Sequence, residues 1–503
     1  GGRLLCQAPT GIGKSMSVLF PALKSMGNES VGPIFYLTAR GTTRTAAENA
    51  LAILRDTEPE LHLRSVTLTA KDKICLCETR ECTPEACPYA NGYYARIKGA
   101  LWDVLDVPCL TAETLQEYAE RHTVCPFELG LDSSLWSDVI IGDYNYLFDP
   151  VVHLVRFFES AGDYIFLVDE AHNLPGRARE MHSAALTKTS FYEAKKLLGK
   201  GKSSLKNALT KVNDVFIEWR HRAEEETAAR DGRFGKTFFL KERSEEFDHL
   251  LNRLCEPLEA WLDDHREPDE THTALLQLYF DVRAWLRVAD TFDDHFVLQI
   301  TASGSEVRAA QLCLDPSAFL ADSFALGRAA VLFSATLAPA SYYKDLCGVP
   351  EARAVALRSP FPAGNQGLFC IGNVSTRYKD RDASLAIVAE SLATMVRARC
   401  GNYLAFFPSY AYMEQAYAQF KEHCPEINCI KQENAMDEQQ KAAFLAQFVP
   451  GPSQPLLGFA VMGGVFGEGV DLTGDRLIGV GIVGPGLPQV GPRQEQLRDY
   501  FEQ

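Results

Sequence analysis

The sequence lacks a long apolar segment and a secretory leader. Apolar runs such as Tyr164 to Val168 and Leu456 to Val461 are short and are bounded by glycine or charge, whereas a membrane helix needs about 20 apolar residues. The first residues, Gly1 to Gln7, show no basic region followed by a long apolar stretch. We therefore expect no membrane association, and a cytoplasmic location is the default.

The sequence also lacks low-complexity tracts, internal repeats and an excess of positive charge. With 503 residues, 46% hydrophobic and 23% charged, the chain is predicted to form three or four folded units. Its net charge of −16 is unfavourable for nucleic-acid binding, which depends on cations near phosphates. Seven lysines nevertheless lie between residues 188 and 211 with one acidic residue, Glu193. They form either a solvated helical face or a phosphate-binding patch.

A phosphate-binding loop is predicted near the amino end. An apolar strand, Arg3 to Gln7, leads into a glycine-containing loop and then into a helix beginning near Met16. Small residues let backbone N–H groups surround phosphate oxygens at the positive end of a helix. The lysine would bind the β- and γ-phosphates of ATP, and the serine would bind Mg²⁺. The loop consists of Ala8, Pro9, Thr10, Gly11, Ile12, Gly13, Lys14 and Ser15.

A second chemical motif follows a strand that is expected to be buried. Residues 163–172 read Asp-Tyr-Ile-Phe-Leu-Val-Asp-Glu-Ala-His, so Asp169 and Glu170 follow the apolar strand, where ligands bind in an open parallel sheet. Asp169 is predicted to hold Mg²⁺, Glu170 to polarise the attacking water, and His172 to couple nucleotide state to a neighbouring domain. Together with the loop, these residues predict ATP hydrolysis.

The Asp-Glu-Ala-His motif resembles that of superfamily 2 helicases, and further segments continue the resemblance in the expected order. These segments are 33–40, 331–337, 401–410 and 463–471. The resemblance implies two motor domains that step along a single strand as ATP is hydrolysed. It implies nucleotide contacts by Glu468, Gly469 and Asp471. It also implies nucleic-acid contacts by Thr38, Arg40 and Ser409, and by Tyr144 and Asn145 in the segment before the Asp-Glu strand.

Six of the fourteen cysteines lie between Lys14 and Asp169. Four of them have the spacing C-x6-C-x4-C-x37-C, which suits either a [4Fe–4S] cluster or a tetrahedral zinc ion. These four are Cys75, Cys82, Cys87 and Cys125. Cys77 is an alternative ligand in place of Cys75 or Cys82, whereas Cys109 is expected to pack as a small apolar residue.

A cysteine-containing insertion at this position, before the Asp-Glu-Ala-His motif, resembles the one found in the XPD/DinG family of iron–sulfur helicases. The matching features are Cys87-Pro-Tyr89, Cys125-Pro-Phe127 and the segment 138–148. The resemblance implies a [4Fe–4S] cluster that braces the region where duplex is separated, 5′ to 3′ translocation, and a role in DNA repair or replication. It also implies single-stranded DNA and duplex junctions as partners, with the protein working as a monomer.

The predicted fold is α/β, with two RecA-like parallel-sheet motor domains and two insertions in the first. The first motor domain is assigned to 1–70, 131–180 and 295–345, the iron–sulfur cluster domain to 71–130, a helical Arch domain to 181–294, and the second motor domain to 346–503. There is no initiator Met, no adenine-recognising segment precedes the strand at Arg3, and the family's Gln-x-x-Gly-Arg-x-x-Arg pattern, expected shortly after Phe501, is not found. We therefore expect a chain truncated at both ends that binds nucleotide but hydrolyses it poorly.

Two other functions are compatible with the sequence. One is an ATP-driven translocase or remodeller that moves on nucleic acid without separating strands. The other is a zinc-stabilised nucleic-acid-binding module with an inactive nucleotide site, although the intact Lys14, Ser15, Asp169 and Glu170 argue against it.

Overall fold

A computed structural model of the chain describes residues 2–502 except 29–30, 40, 59, 202, 230–234, 268, 468–469 and 488–490. These residues divide into two compact units. The first unit comprises residues 1–360 and 491–503, and the second comprises residues 361–490. Among the helices described, none is long and apolar enough to cross a membrane.

A parallel sheet forms the centre of the first unit, and its first strands come from the amino-terminal residues. These strands are rich in branched and aromatic residues, and buried apolar clusters cover both faces of the sheet. The elements are β1 (Arg3–Gln7), α1 (Lys14–Asn28), β2 (Ile34–Thr38), α2 (Gly41–Thr57) and β3 (Ser65–Thr67).

The segment predicted as the cluster domain is mainly helical and packs on the core of this sheet. Its short strand β4 pairs with β3, so the segment also contributes the edge strand of the central parallel sheet of the first unit. Its elements are α3 (Lys71–Ile74), α4 (Tyr93–Val104), β4 (Cys109–Leu110), α5 (Ala112–His122) and α6 (Pro126–Ser133).

The chain then returns to the centre of the sheet through strands that are buried along most of their length. β6 lies between β2 and the strand β11, which is described below. Because the strands are parallel, the last residue of β6 lies at the same edge of the sheet as the loop that follows β1. The elements are β5 (Val139–Asp143), α7 (Asn145–Phe148), α8 (Val155–Phe158), β6 (Ile165–Asp169) and α9 (Leu174–Met181).

The second insertion contains the predicted helices together with an antiparallel sheet. An aromatic core that includes Phe191, Phe216, Phe247 and Trp285 joins the helices to the sheet, whose strand order is β7-β10-β9-β8. The elements are β7 (Ala184–Thr187), α10 (Lys188–Leu197), α11 (Ser204–Ala229), β8 (Lys236–Leu240), α12 (Glu245–Asp264), α13 (Glu270–Asp290), β9 (Phe296–Ser303) and β10 (Glu306–Cys313).

The structure corrects two predicted boundaries of the first motor domain. Residues 296–313 were assigned to the motor domain, but β9 and β10 pair with β7 and β8 of the insertion. The motor sheet also extends beyond residue 345, because β12 pairs in parallel with β1. The full strand order is β12-β1-β11-β6-β2-β5-β3-β4. The remaining elements are α14 (Ser317–Ala325), β11 (Ala329–Ser334), α15 (Ala340–Leu346) and β12 (Arg353–Ala356).

The second unit is built on a parallel sheet with strand order β14-β15-β13-β16. An apolar cluster that includes Phe407, Phe420 and Phe459 fills the space between β13, β15 and the helix α17. The elements are α16 (Arg381–Ala398), β13 (Asn402–Phe407), α17 (Tyr410–His423), β14 (Asn428–Lys431), α18 (Glu438–Ala446), β15 (Leu456–Val461) and β16 (Gly479–Ile482).

The last helix, α19 (Pro492–Phe501), belongs to the first unit rather than to the second. Leu497 and Tyr500 pack against the apolar face that β9 and β10 present, which includes Val297 and Leu312. The segment predicted as one motor domain, 346–503, therefore contributes residues at both of its ends to the first unit.

Candidate nucleotide site and cysteine-rich site

The loop between β1 and α1 has the conformation that a phosphate-binding loop requires. Gly11 and Gly13 both have φ of 78°, a left-handed conformation that glycine adopts without steric cost. α1 begins at Lys14, so the backbone N–H groups of its first turn have no partner within the helix. The ammonium of Lys14 lies 3.4 Å from the carbonyl oxygen of Ala8. A strand–loop–helix segment with two left-handed glycines therefore lies at the predicted position.

The register of the parallel sheet brings the second motif to this loop. Gln7 of β1 lies beside Ser334 of β11, and Phe333 of β11 lies beside Asp169 of β6. The carboxyl ends of all three strands therefore meet at one edge, where parallel sheets bind ligands. Asp169 is only 4% exposed. Its Oδ1 accepts a hydrogen bond of 2.8 Å from the backbone N–H of Glu170.

Glu170 lies in a tight polar group with His172 and Ser334. Its backbone is left-handed, with φ of 49°, which is uncommon for a residue other than glycine and is often found at functional sites. Ser334 Oγ donates to Glu170 Oε2 at 3.0 Å, and His172 Nδ1 lies 2.7 Å from Ser334 Oγ and 3.3 Å from Glu170 Oε2. The structure thus connects the Asp-Glu-Ala-His motif to Ser334, the last residue of β11 and part of the segment 331–337.

The two carboxyl groups have opposite pKa shifts. Burial raises the pKa of Asp169 to about 6, although the Tyr36 hydrogen bond and the charge of Lys14 act in the other direction. Burial also raises the pKa of Glu170, but His172, Lys14 and Ser334 outweigh it, so that the pKa lies below its usual value. Glu170 is therefore held as a carboxylate near a cation, as a group that polarises water must be.

Sequence analysis did not identify Tyr36 as part of this site. Its hydroxyl donates to Asp169 Oδ2 at 2.7 Å and lies 3.0 Å from Ser15 Oγ. The side chain is fully buried. The available signal was a phenol at the centre of an otherwise apolar strand, since a buried Tyr hydroxyl usually has a specific hydrogen-bond partner.

The predicted nucleic-acid contacts in the first unit differ in their exposure. Thr38 and Tyr144 are fully buried. The hydroxyl of Thr38 bonds to that of Thr43, and the hydroxyl of Tyr144 donates to the carbonyl of Asp169. This burial argues against direct contact by either side chain. Asn145 is half-buried, with its Oδ1 3.4 Å from Arg177 Nη2.

Arg40, Glu468 and Gly469 lie outside the described residues, so their predicted contacts are not placed. In the second unit, Asp471 is exposed in the segment after β15. Ser409 begins α17 as its N-cap and accepts a hydrogen bond of 3.4 Å from the backbone N–H of Tyr412. Ser409 lies two residues after β13, whereas Asp471 lies ten residues after β15.

The cysteine-rich segment brings two of its thiols close together. Cys77 Sγ lies 3.9 Å from Cys87 Sγ. Partial burial, with the nearby Cys87 and Cys75 thiols, raises the pKa of Cys77 to about 11. Burial lowers the pKa of Lys71, but the charges of Glu128, Cys82 and Cys125 outweigh it, so that the pKa lies above its usual value. Within the described residues no group of three or more His, Cys, Asp or Glu side chains is arranged to hold a metal ion.

All five of these cysteines are free thiols. An all-thiol donor set is compatible with an iron–sulfur cluster and with zinc. Because Cys77 lies close to Cys87, Cys77 is a fifth candidate ligand beside the four predicted cysteines. Cys109, by contrast, is part of β4 and pairs with Ser65 in the motor sheet.

Two parts of the chain match family models. Residues 57–191 match the DEAD_2 family, and residues 392–503 match the family described as the helicase C-terminal domain. The ATP-dependent DNA helicase CHL1 of Coccidioides immitis is 21% identical over 75% of this chain and 49% of its own length. The XPD helicase subunit of general transcription and DNA repair factor IIH from Schizosaccharomyces pombe is 23% identical over 62% of this chain and 49% of its own length.

Solved structures share the fold. An XPD helicase structure superposes with a TM-score of 0.60 at 18% identity and covers 100% of this chain and 85% of that chain. Xpd4 of S. tokodaii gives a TM-score of 0.58 at 14% identity, covering 100% and 83% of the two chains. At these identities the likeness shows the fold alone, an α/β architecture with parallel sheets. The chain is thus similar in sequence to DNA helicases of the CHL1 and XPD types and similar in fold to XPD structures. The chain spans about half the length, 49%, of the two relatives described above.

Proposed function

We propose that this chain is the motor of an ATP-dependent DNA helicase. The observation that carries the proposal is the meeting of Lys14, Asp169 and Glu170 at one edge of a parallel sheet, with His172 and Ser334 bonded around Glu170. Lys14 would bind the transferred phosphate, Ser15 and Asp169 would hold Mg²⁺, and Glu170 would orient the attacking water. Mg²⁺ would neutralise charge that develops on the phosphates.

DNA is proposed as the nucleic acid along which the motor moves. The two relatives are described as an ATP-dependent DNA helicase and as a helicase subunit of a DNA repair factor. We infer that single-stranded DNA and duplex junctions are the partners, with a role in DNA repair or replication and with movement from 5′ to 3′. Contacts to the strand are proposed to be mainly to its backbone, which makes binding tolerant of sequence. We also propose that the motor works as a monomer.

A strand-displacement assay tests the helicase activity. We expect ATP-dependent release of the shorter strand from a duplex with a 5′ single-stranded tail, and little release from a 3′-tailed duplex. Protein in excess over duplex allows slow turnover to be detected, and Glu170→Gln is the matched inactive control. Release from the 3′-tailed duplex alone would refute the polarity. ATP turnover stimulated by single strands without any release would favour the translocase instead.

We further propose that the cysteine-rich segment binds a [4Fe–4S] cluster through Cys82, Cys87 and Cys125 together with Cys75 or Cys77. The support is the presence of five free thiols in one segment, with Cys77 near Cys87 and with Lys71 near Cys82 and Cys125. When bound, such a cluster would brace the helices of this segment. The zinc-binding alternative uses the same thiols, and metal analysis separates the two.

A further inference from the structure

A hydrogen-bonded tyrosine connects the two residues that would hold Mg²⁺. We propose that Tyr36 is a positioning residue of the nucleotide site, whose hydroxyl sets the orientation of both Ser15 and Asp169. The inference rests on the proposed ATP-binding function and adds a residue to that site. It depends on the contacts of one phenol that is completely excluded from solvent.

The distances determine which way the protons point. An ionised carboxylate only accepts hydrogen bonds, so the contact of 2.7 Å between Tyr36 and Asp169 Oδ2 uses the phenolic proton. The oxygen of Tyr36 is then available as an acceptor for the hydroxyl of Ser15, which lies at 3.0 Å. The result is a directed chain from Ser15 through Tyr36 to Asp169. One phenol therefore orients the loop hydroxyl and the strand carboxylate together.

The carboxylate is held at both of its oxygens. Oδ1 accepts from the backbone N–H of Glu170 at 2.8 Å, while Oδ2 accepts from Tyr36. Rotation of the carboxylate group would break at least one of these bonds inside a buried environment, where an unpaired polar group is costly. Asp169 is consequently kept in one orientation before any cation binds.

Tyr36 is itself rigid. It lies on β2 opposite Leu167 of β6, and its ring packs edge-on against Phe333 with 6.0 Å between the ring centroids. The ring belongs to a buried apolar cluster that also includes Leu19 of α1. A side chain fixed in this way can transmit a defined position to its partners. Residues that orient metal ligands in this manner typically contribute about 10- to 100-fold to metal affinity.

The test removes the hydroxyl alone. Tyr36→Phe keeps the ring in its core and deletes both hydrogen bonds. Binding of a fluorescent ADP analogue is measured first in EDTA and then as a function of Mg²⁺ concentration. We expect binding in EDTA to be unchanged, because the phosphate loop is intact. The Mg²⁺ concentration that gives the half-maximal effect should increase by about tenfold or more, judging by other residues that orient metal ligands.

Tyr144→Phe is the matched control. Tyr144 is also fully buried, and its hydroxyl donates to the main-chain carbonyl of Asp169 rather than to the carboxylate. Its loss should lower thermal stability without moving the Mg²⁺ midpoint. The double variant Ser15→Ala with Tyr36→Phe provides a second check, since residues acting through one chain of hydrogen bonds give effects that are smaller than additive.

The outcomes are distinguishable. A wild-type midpoint in Tyr36→Phe, or an equal shift in Tyr144→Phe, would overturn the role of Tyr36 while leaving nucleotide binding intact. A wild-type chain that binds no ADP with or without Mg²⁺ would overturn the proposed function itself and the role of Tyr36 with it. Thermal melting of each variant shows whether the chain is folded in the assay.

Discussion

Replacing Lys14 with Ala is expected to abolish ATP hydrolysis. Lys14 is the first residue of α1, directly after the loop. The charge of its ammonium group lowers the pKa of Glu170. Charge-stabilising groups at phosphoryl centres contribute on the order of a thousandfold or more to turnover. Single-turnover hydrolysis of radiolabelled ATP, with protein in excess, detects even a slow reaction. Lys24→Ala, an exposed lysine of the same helix, is the control and should retain wild-type turnover.

Glu170→Gln tests the carboxylate that is proposed to orient the attacking water at the same site. The amide keeps the size of the side chain but cannot act as a negatively charged acceptor for water. We therefore expect ATP to bind with near wild-type affinity while turnover falls by several powers of ten. The same assay, with a nucleotide-binding measurement beside it, separates the two effects. Unchanged turnover in Lys14→Ala or Glu170→Gln would remove the proposed catalytic site.

The purified protein is expected to be brown and to contain about four irons per chain, the number in a cube held by four thiolates. Cys87→Ser and Cys125→Ser should each lose the visible absorbance and most of the iron. Neither residue lies at the carboxylate edge of the sheet, so we expect unwinding to be impaired more than ATP hydrolysis. Iron analysis and absorbance spectra of anaerobically purified protein provide the measurement.

Two further cysteine variants make this experiment specific. Cys109→Ser should retain full iron content, because Cys109 belongs to β4 of the motor sheet. Loss of iron in Cys77→Ser but not in Cys75→Ser would identify Cys77 as the fourth ligand, as its 3.9 Å contact with Cys87 suggests. Stoichiometric zinc without iron would instead establish the zinc-binding alternative.

The parts of the fold that were predicted correctly are those with a strong local signal. A glycine-containing loop between a strand and a helix, and two carboxylates after a buried strand, predicted the local structure around Lys14 and Asp169. Nucleotide binding at this edge of the sheet stays a prediction. The helical character of the second insertion was also predicted; for example, α12 lies within the range 181–294 that was assigned to a helical domain.

The errors arise where long-range pairing decides the structure. β9 and β10 read as ordinary strands, and only their partners β7 and β8 show that they belong to the insertion. β12 likewise joins the first sheet through its pairing with β1. Burial of Thr38 and Tyr144 depends on neighbours distant in sequence. So does the contact between Tyr36 and Asp169, which are separated by 133 residues. Local patterns do not encode such contacts.

Coupling between nucleotide and single-stranded DNA tests the central claim most directly, because a motor must change its grip on the strand as its nucleotide changes. Fluorescence anisotropy of a labelled single strand is measured without nucleotide and with a non-hydrolysable ATP analogue plus Mg²⁺, in wild type and in Lys14→Ala. We predict that the analogue changes DNA affinity by about fivefold or more in wild type, a typical coupling between linked sites, and that Lys14→Ala removes the change. Absence of single-strand binding, or an affinity that the analogue leaves unaltered in wild type, would contradict an ATP-driven DNA motor.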